Sequence, residues 1–216
     1  MENEKNSQYK AKERYTDKNV ATAYDEERFT SWVGQIAHKI ESDALAYSVD
    51  RYFEKGGSIL DIPCGTGRLL PVLLNRGFLV TGGDISNEMI QVAQKKYGNA
   101  TFKVVDAENL PFSDNAFDYV TSYRLMCHLP KDVRRKVLGE MVRVARKTVV
   151  VNYHFTSLAP VAILNQLFRP TCCATYPVKM NEISGELPNE NCEILEIRKL
   201  SWFERSSSLV VIKKKN

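Results

Sequence analysis

Between residues 58 and 154 short β-rich runs alternate with stretches of helical spacing, and this alternation limits the fold more than any other feature of the chain. The β-rich runs are SILDI (58–62), FLVTGGD (78–84), TFKVVD (101–106), FDYVTSY (117–123) and TVVVNYH (148–154). Helix-like segments fill the gaps at 68–76, 86–97 and 131–145. Strand and helix repeated in this order predict a parallel sheet covered by helices on both faces. The tail departs from the pattern. CEILEIRKLSWF (192–203) and SSLVVIKK (207–214) are strand-like runs joined by a short turn, which predicts an antiparallel hairpin on the sheet edge. The expected fold is α/β, a doubly wound, mostly parallel seven-stranded sheet with a C-terminal antiparallel hairpin.

Upstream, from Asp17 to Phe53, Val20, Tyr24, Trp32, Ile36, Ile40, Leu45 and Val49 recur at helical spacing with no Gly-Pro cluster between them, predicting an N-terminal helical cap. With 216 residues, 44% of them hydrophobic, the chain can bury one sizeable core. One domain over 1–216 is expected, divided into a cap (1–55), a core (56–154), a lid-like insertion (155–187) and a terminal hairpin (188–216). The polar start MENEKNSQYKAKER lacks the apolar centre of a secretory signal, and no apolar stretch nears the roughly 18 residues of a membrane span. A cytoplasmic protein is expected. Five cysteines, with Cys172 and Cys173 adjacent, show no metal or redox spacing and read as reduced thiols. The net charge of +4 comes partly from Lys213, Lys214 and Lys215, which read as a solvated tail; no basic stripe points to nucleic acid.

The first strand-to-helix turn carries the chemistry. Ligands of open parallel sheets bind beyond the carboxyl ends of the strands, and Gly65 and Gly67 in SILDIPCGTGRLLPVL let a ligand approach the main chain there. A helix beginning near Arg68 would point free N–H groups at an anionic group. The turn reads Gly65, Thr66, Gly67, Arg68, Leu69, Leu70, so the third small residue of a dinucleotide fingerprint is replaced by Leu70; no Gly-Lys-Ser/Thr follows, which excludes a P-loop. Asp84 ends the second run, 17 residues past Gly67, where a carboxylate can accept hydrogen bonds from both hydroxyls of a ribose. Asp106 ends the third run, positioned to accept from an adenine amino group. A lone acid at a strand end also serves as a helix N-cap; the alignment of these acids with the glycine turn favours an adenosine bearing an anionic arm.

Taken together, ILDIPCGTGRLL, VTGGDIS, VVDAENLPFSDNAFDYV and SYRLMCHL resemble the motif series of the class I S-adenosylmethionine-dependent methyltransferases, in their small-molecule branch, over Ser58 to Val151. The resemblance implies S-adenosylmethionine as methyl donor. It implies that Asp61, Gly65 and Gly67 hold the methionine arm, with Pro63 and Thr66 of the same turn also cofactor-binding, that Asp84 holds the ribose, and that Ile85 packs on the adenine. Asp106 would read the adenine amino group, Ala107 would contribute backbone, and Ser122 or Tyr123 would close over the methionine portion. Two departures stand out: Pro63 replaces the usual second-position glycine and loses an N–H, and ARKT (145–148) replaces the common Pro-Gly-Gly turn before the fifth strand.

Methyl transfer needs chiefly a nucleophile held in line and shielded from water. Where a base is needed, Tyr153, His154 and His128, near the open ends of the fourth and fifth strands, are the catalytic candidates, beside Tyr123. His128 has an alternative in packing, and His38, alone in the cap, reads as a surface residue. No clustered ligands suggest a metal. The acceptor would be a small or medium-sized molecule with apolar character, covered by Tyr24, Arg28, Phe29 and Trp32 of the cap and by the insertion. The apolar run LAPVAILNQLF (158–168) can line a pocket, pack a homodimer or complete the core. A nucleotide-binding oxidoreductase of the NAD type and a non-catalytic donor-binding protein are the alternatives.

Overall fold

The five β-rich runs of the core form strands β1 (Ser58–Asp61), β2 (Leu79–Asp84), β3 (Thr101–Val104), β4 (Phe117–Ser122) and β5 (Ala145–His154), and the tail forms β6 (Cys192–Lys199) and β7 (Ser207–Lys214). They were found in a computed structural model that describes residues 31–156, 176–188, 191–200 and 207–215. The cap residues Tyr24, Arg28 and Phe29, the run 158–168, Cys172 and Cys173 lie outside these residues. The strands make one sheet in the order β3-β2-β1-β4-β5-β7-β6. β1 to β5 are mutually parallel, and β7 runs antiparallel between β5 and β6. The expected fold class, including the antiparallel hairpin at one edge, is the one observed.

Alternation of side chains along each strand builds two cores. On one face, Leu60, Val120, Val149 and Val151 pack against Val137, Leu138 and Met141 of helix α4 (Lys131–Val144). On the other, Ile59, Val80, Tyr119 and Val150 meet Leu45 and Val49 of α1 (Trp32–Tyr52) and Leu70 and Leu73 of α2 (Leu70–Leu74). α1 starts where Ser31 accepts the Gly34 N–H (3.1 Å), and α3 (Asn87–Lys96) where Ser86 accepts that of Met89 (3.2 Å). Such caps supply partners for N–H groups that a helix start leaves open. At the exit of α1, Phe53 stacks on Tyr119 with ring centroids 4.0 Å apart, and the Tyr119 hydroxyl accepts the Glu54 N–H (2.8 Å).

Three expectations need correction. The helix expected over 68–76 is confined to Leu70–Leu74, because Pro71 in its first turn lacks an N–H and the preceding residues form tight i to i+3 bonds, Gly67 to Leu70 and Leu69 to Val72. The stretch 145–148 is no turn: α4 ends at Val144 and β5 begins at Ala145. Lys214 is no solvated tail, since its ammonium donates to the carbonyls of Val142 (3.1 Å) and Ala145 (3.0 Å) and so closes the C-terminal end of α4.

Candidate functional site

The carboxyl ends of β1, β2, β3 and β4 open on one cavity of about 170 Å³, more than ten times the roughly 10–15 Å³ that a single water needs. It is large enough for part of an organic molecule. Asp61, Pro63, Gly65 and Thr66 line it from the β1 turn, Asp84 and Ile85 from the end of β2, Asp106 and Ala107 from beyond β3, and Tyr123 and His128 from beyond β4. Gly65 has φ +53° and nothing within 4 Å of where a Cβ would stand. That left-handed conformation needs a glycine, whose bare main chain borders the cavity.

Asp61 and Asp84 are 3% and 5% exposed. The β1–β4 register sets Asp61 beside Thr121, whose hydroxyl donates to its Oδ1 at 2.7 Å. Burial pushes the Asp61 carboxyl up to about 7, opposed by that hydrogen bond and by the charge of Arg68, with Asp84 pushing it further up. Asp84 Oδ2 accepts the Gly65 N–H (2.8 Å) and Oδ1 that of Ser86 (3.0 Å), so the glycine turn is anchored to the neighbouring strand. Its carboxyl is also raised by burial, against these backbone donors. Two buried carboxylates on one cavity wall, each with acceptor capacity beyond the bonds named, suit a ligand that brings a cation and hydroxyl donors.

A second layer was not legible in the sequence. Glu41 of α1 is buried, and its Oε2 accepts from Arg68 of the β1 turn at 2.5 Å while its Oε1 accepts from Arg124 Nε at 2.8 Å. Its carbonyl accepts from the Tyr123 hydroxyl (3.4 Å). Arg68, Tyr123 and Arg124 all line the cavity, so one side chain of α1 ties together the turns after β1 and β4. Arg124 has φ +56°, uncommon for a residue with a Cβ, and its N–H donates to Asn152 Oδ1 (3.4 Å) on β5. His38, expected at the surface, is half-buried and accepts from Arg68 at 2.7 Å through Nδ1. The one local signal was the His38 to Glu41 spacing, which puts both on one helix face.

Four candidates lie outside the cavity wall. Gly67 has φ +81°, and the Tyr97 ring stands 2.7 Å from where its Cβ would be, so its lack of a side chain serves the packing of α3 on the turn. Ser122 is buried, with no hydrogen-bond partner for its hydroxyl among the described residues. Tyr153, expected to face the substrate, is instead fully buried on the α4 side of the sheet, stacked on Phe155. Its hydroxyl is pushed well up by burial and then by the charge of Glu186, which removes it as a base near neutral pH. Successive strand residues face opposite ways, so Tyr153 and His154 cannot share a site. His154 lies on the α1 side, and its imidazole is lowered by burial and by Arg124, against Glu41, so it is neutral near pH 7. Tyr123 is pushed well above its ordinary range by burial, then by Glu41 and Asp61. Among the described residues no group of three or more His, Cys, Asp or Glu is placed to hold a metal, and no helix is long and apolar enough to cross a membrane.

Residues 59–148 match the family model described as "Methyltransferase domain". The chain is 35% identical over 121 residues to phosphatidylethanolamine N-methyltransferase of Cereibacter sphaeroides, covering 52% of this chain and 58% of that one. It is 37% identical over 95 residues to the ubiquinone/menaquinone biosynthesis C-methyltransferase UbiE of Desulfotalea psychrophila, covering 42% and 37%. The chain thus spans less than two thirds of the length of these relatives. Magnesium protoporphyrin IX methyltransferase (ChlM) from Synechocystis PCC 6803, solved with bound SAH, superposes with a TM-score of 0.77 at 22% identity, over 94% of this chain and 100% of that chain, which establishes the common fold.

Proposed function

We propose, from the match of residues 59–148 to the methyltransferase domain model, that the protein is an S-adenosylmethionine-dependent methyltransferase acting on a small or medium-sized, partly apolar acceptor. The observation that carries this reading is the meeting of Asp61 and Asp84, the last residues of β1 and β2, and Asp106, just past β3, on one cavity wall. The residues fit the donor. Asp61 is a buried carboxylate suited to the amino-acid ammonium, and the bare main chain at Gly65 admits the arm. Asp84 would take the ribose hydroxyls, and Ile85, Asp106 and Ala107 the adenine. Pro63, Thr66, Gly67, Ser122 and Tyr123 support that site from the surrounding turns, with Gly67 acting through its packing under Tyr97.

When bound, the donor would supply an electrophilic methyl carbon to the acceptor's nucleophilic atom, its sulfur keeping the electron pair of the carbon–sulfur bond. The chain's own part is to orient, to exclude water and to receive a proton. His154 is one candidate base: burial and the charge of Arg124, against Glu41, lower it so that it is neutral near pH 7, and it lies outside the cavity wall. His128, on the cavity wall, is the second candidate. An apolar acceptor is supported by Leu125, Leu129, Val133 and Val137 on the same wall, and by the lipid, quinone and porphyrin substrates in the names of the similar proteins. Free thiols at Cys64, Cys127 and Cys192 suit a reducing compartment such as the cytoplasm. Nothing found favours a dinucleotide oxidoreductase, and Leu70, where that fingerprint wants a small residue, is wholly buried in the core.

The test is a crystal structure of the protein soaked with the demethylated donor product. Ribose density at Asp84 and adenine density beside Ile85 are expected; density anywhere else on the surface would reject the reading.

A further inference from the structure

We propose that Arg68 is the partner of the donor's α-carboxylate, held at the cavity wall by Glu41 and His38 of α1, so that the cap helix contributes to donor binding. This rests on the methyl-transfer reading above. Most main-chain donors of the glycine turn are committed elsewhere. Pro63 has no N–H, and those of Cys64, Gly65 and Gly67 donate to the Gly83 carbonyl (2.8 Å), to Asp84 Oδ2 (2.8 Å) and to the Cys64 carbonyl (3.0 Å). The helix behind the turn, Leu70–Leu74, has five residues with Pro71 in its first turn, which makes it a poor anion site. The anionic end of the donor arm therefore calls for a cationic side chain.

The permanently cationic side chains on the cavity wall, among the described residues, are Arg68 and Arg124. Arg68 stands three residues past Gly65, in the turn that follows Asp61. Arg124 belongs to the turn after β4 and gives both Nε (2.8 Å) and a terminal nitrogen (2.7 Å) to Glu41 Oε1. One terminal nitrogen of Arg68 donates to Glu41 Oε2 at 2.5 Å and the other to His38 Nδ1 at 2.7 Å. A guanidinium presents its N–H groups in a rigid fork, so bonds at both of its ends fix the plane of the group. Two guanidiniums share the single Glu41 carboxylate, which leaves this cluster with an excess of positive charge next to Asp61 and Asp84. A donor arm carries an ammonium and a carboxylate on one carbon. It meets an acid and a guanidinium from one turn, Asp61 for the ammonium and Arg68 for the carboxylate.

The experiment is calorimetric titration of the full-length protein with S-adenosylhomocysteine and with its decarboxylated analogue, the same molecule without the carboxylate. The parent is expected to favour S-adenosylhomocysteine by about 10- to 100-fold, the range of a hydrogen bond to a charged group. Arg68→Gln should bring the two ligands close to parity, chiefly by weakening S-adenosylhomocysteine. Arg68→Lys keeps the charge but not the fork and should fall between the two; it decides the matter if the glutamine variant does not fold. Arg124→Gln should keep the parent's preference. A parent without preference, a preference that survives in Arg68→Gln while both affinities fall together, or one that is lost in Arg124→Gln alone overturns the proposal and leaves the methyl-transfer reading in place. Failure of the folded parent to bind either ligand refutes that reading, and the proposal with it.

Discussion

Arg134 and Glu186 are 4% and 1% exposed, Asp61 and Asp84 3% and 5%, yet the two pairs are built on opposite plans. The first is closed. Arg134 Nε donates to both Glu186 oxygens, at 3.0 and 2.7 Å, a terminal nitrogen bonds Oε1 as well, and the other donates to the Leu129 carbonyl (2.8 Å). Opposite charges answer each other there, and the pair fastens the 3-10 segment Met180–Glu186 to α4. The second pair holds two like charges on one cavity wall, with a hydroxyl and backbone N–H groups as partners. Burial of that kind costs stability unless a ligand supplies the missing cation. The contrast separates charge buried against an opposite charge from like charge buried on a cavity wall, which we assign to binding.

Glu186→Ala should break the contrast most forcefully. It leaves Arg134 buried without its carboxylate and should cost about 3–5 kcal/mol in denaturant unfolding, with affinity for the demethylated donor product unchanged in the folded fraction. A loss under about 1 kcal/mol would show that the pair is not a fastening. Asp61→Asn should do the reverse. An acid raised from its ordinary 3.8 to about 7 in the folded state favours folding at low pH and loses that contribution as pH rises toward 7. The variant should therefore gain on the parent between pH 4 and pH 8 by on the order of 3–4 kcal/mol while binding the donor product poorly. Parallel thermal-unfolding curves across that range would contradict the assignment.

Asp84→Ala should weaken the donor product by about 1.5–3 kcal/mol, the usual worth of hydrogen bonds to a charged group, in calorimetry on a folded variant. The smallest effect sharpens the comparison by lying outside both regions. Ser86→Ala removes the α3 cap and should cost about 1 kcal/mol of stability, with product affinity falling only as far as the Asp84 anchor loosens. A binding loss as large as that of Asp84→Ala would mean that the cap itself belongs to the site.

The binding half of this contrast was largely legible in the sequence, because it is local. Strand runs ending at Asp61 and Asp84, the glycines between them, and Asp106 two residues past β3 all declare themselves by short-range pattern. The rest depends on partners far along the chain. Glu41 meets Arg124 across 83 residues and Arg134 meets Glu186 across 52, and no local periodicity encodes either pairing. Gly67 reads from the sequence as a ligand-facing glycine, but the ring of Tyr97, just past the end of α3, stands against it. Tyr153 is different: strict alternation from Val149 and Val151 already put it in the core and His154 on the other face. Pro71 likewise announced the short α2.

The claim that the ends of β1, β2 and β4 and the turn beyond β3 hold an adenosyl amino acid is tested most directly by calorimetric titration of the intact protein with S-adenosylhomocysteine, with NAD as control. Saturable binding of one S-adenosylhomocysteine per chain and no heat from NAD are predicted. Retention of NAD, or no retention of S-adenosylhomocysteine by the folded protein, would contradict it.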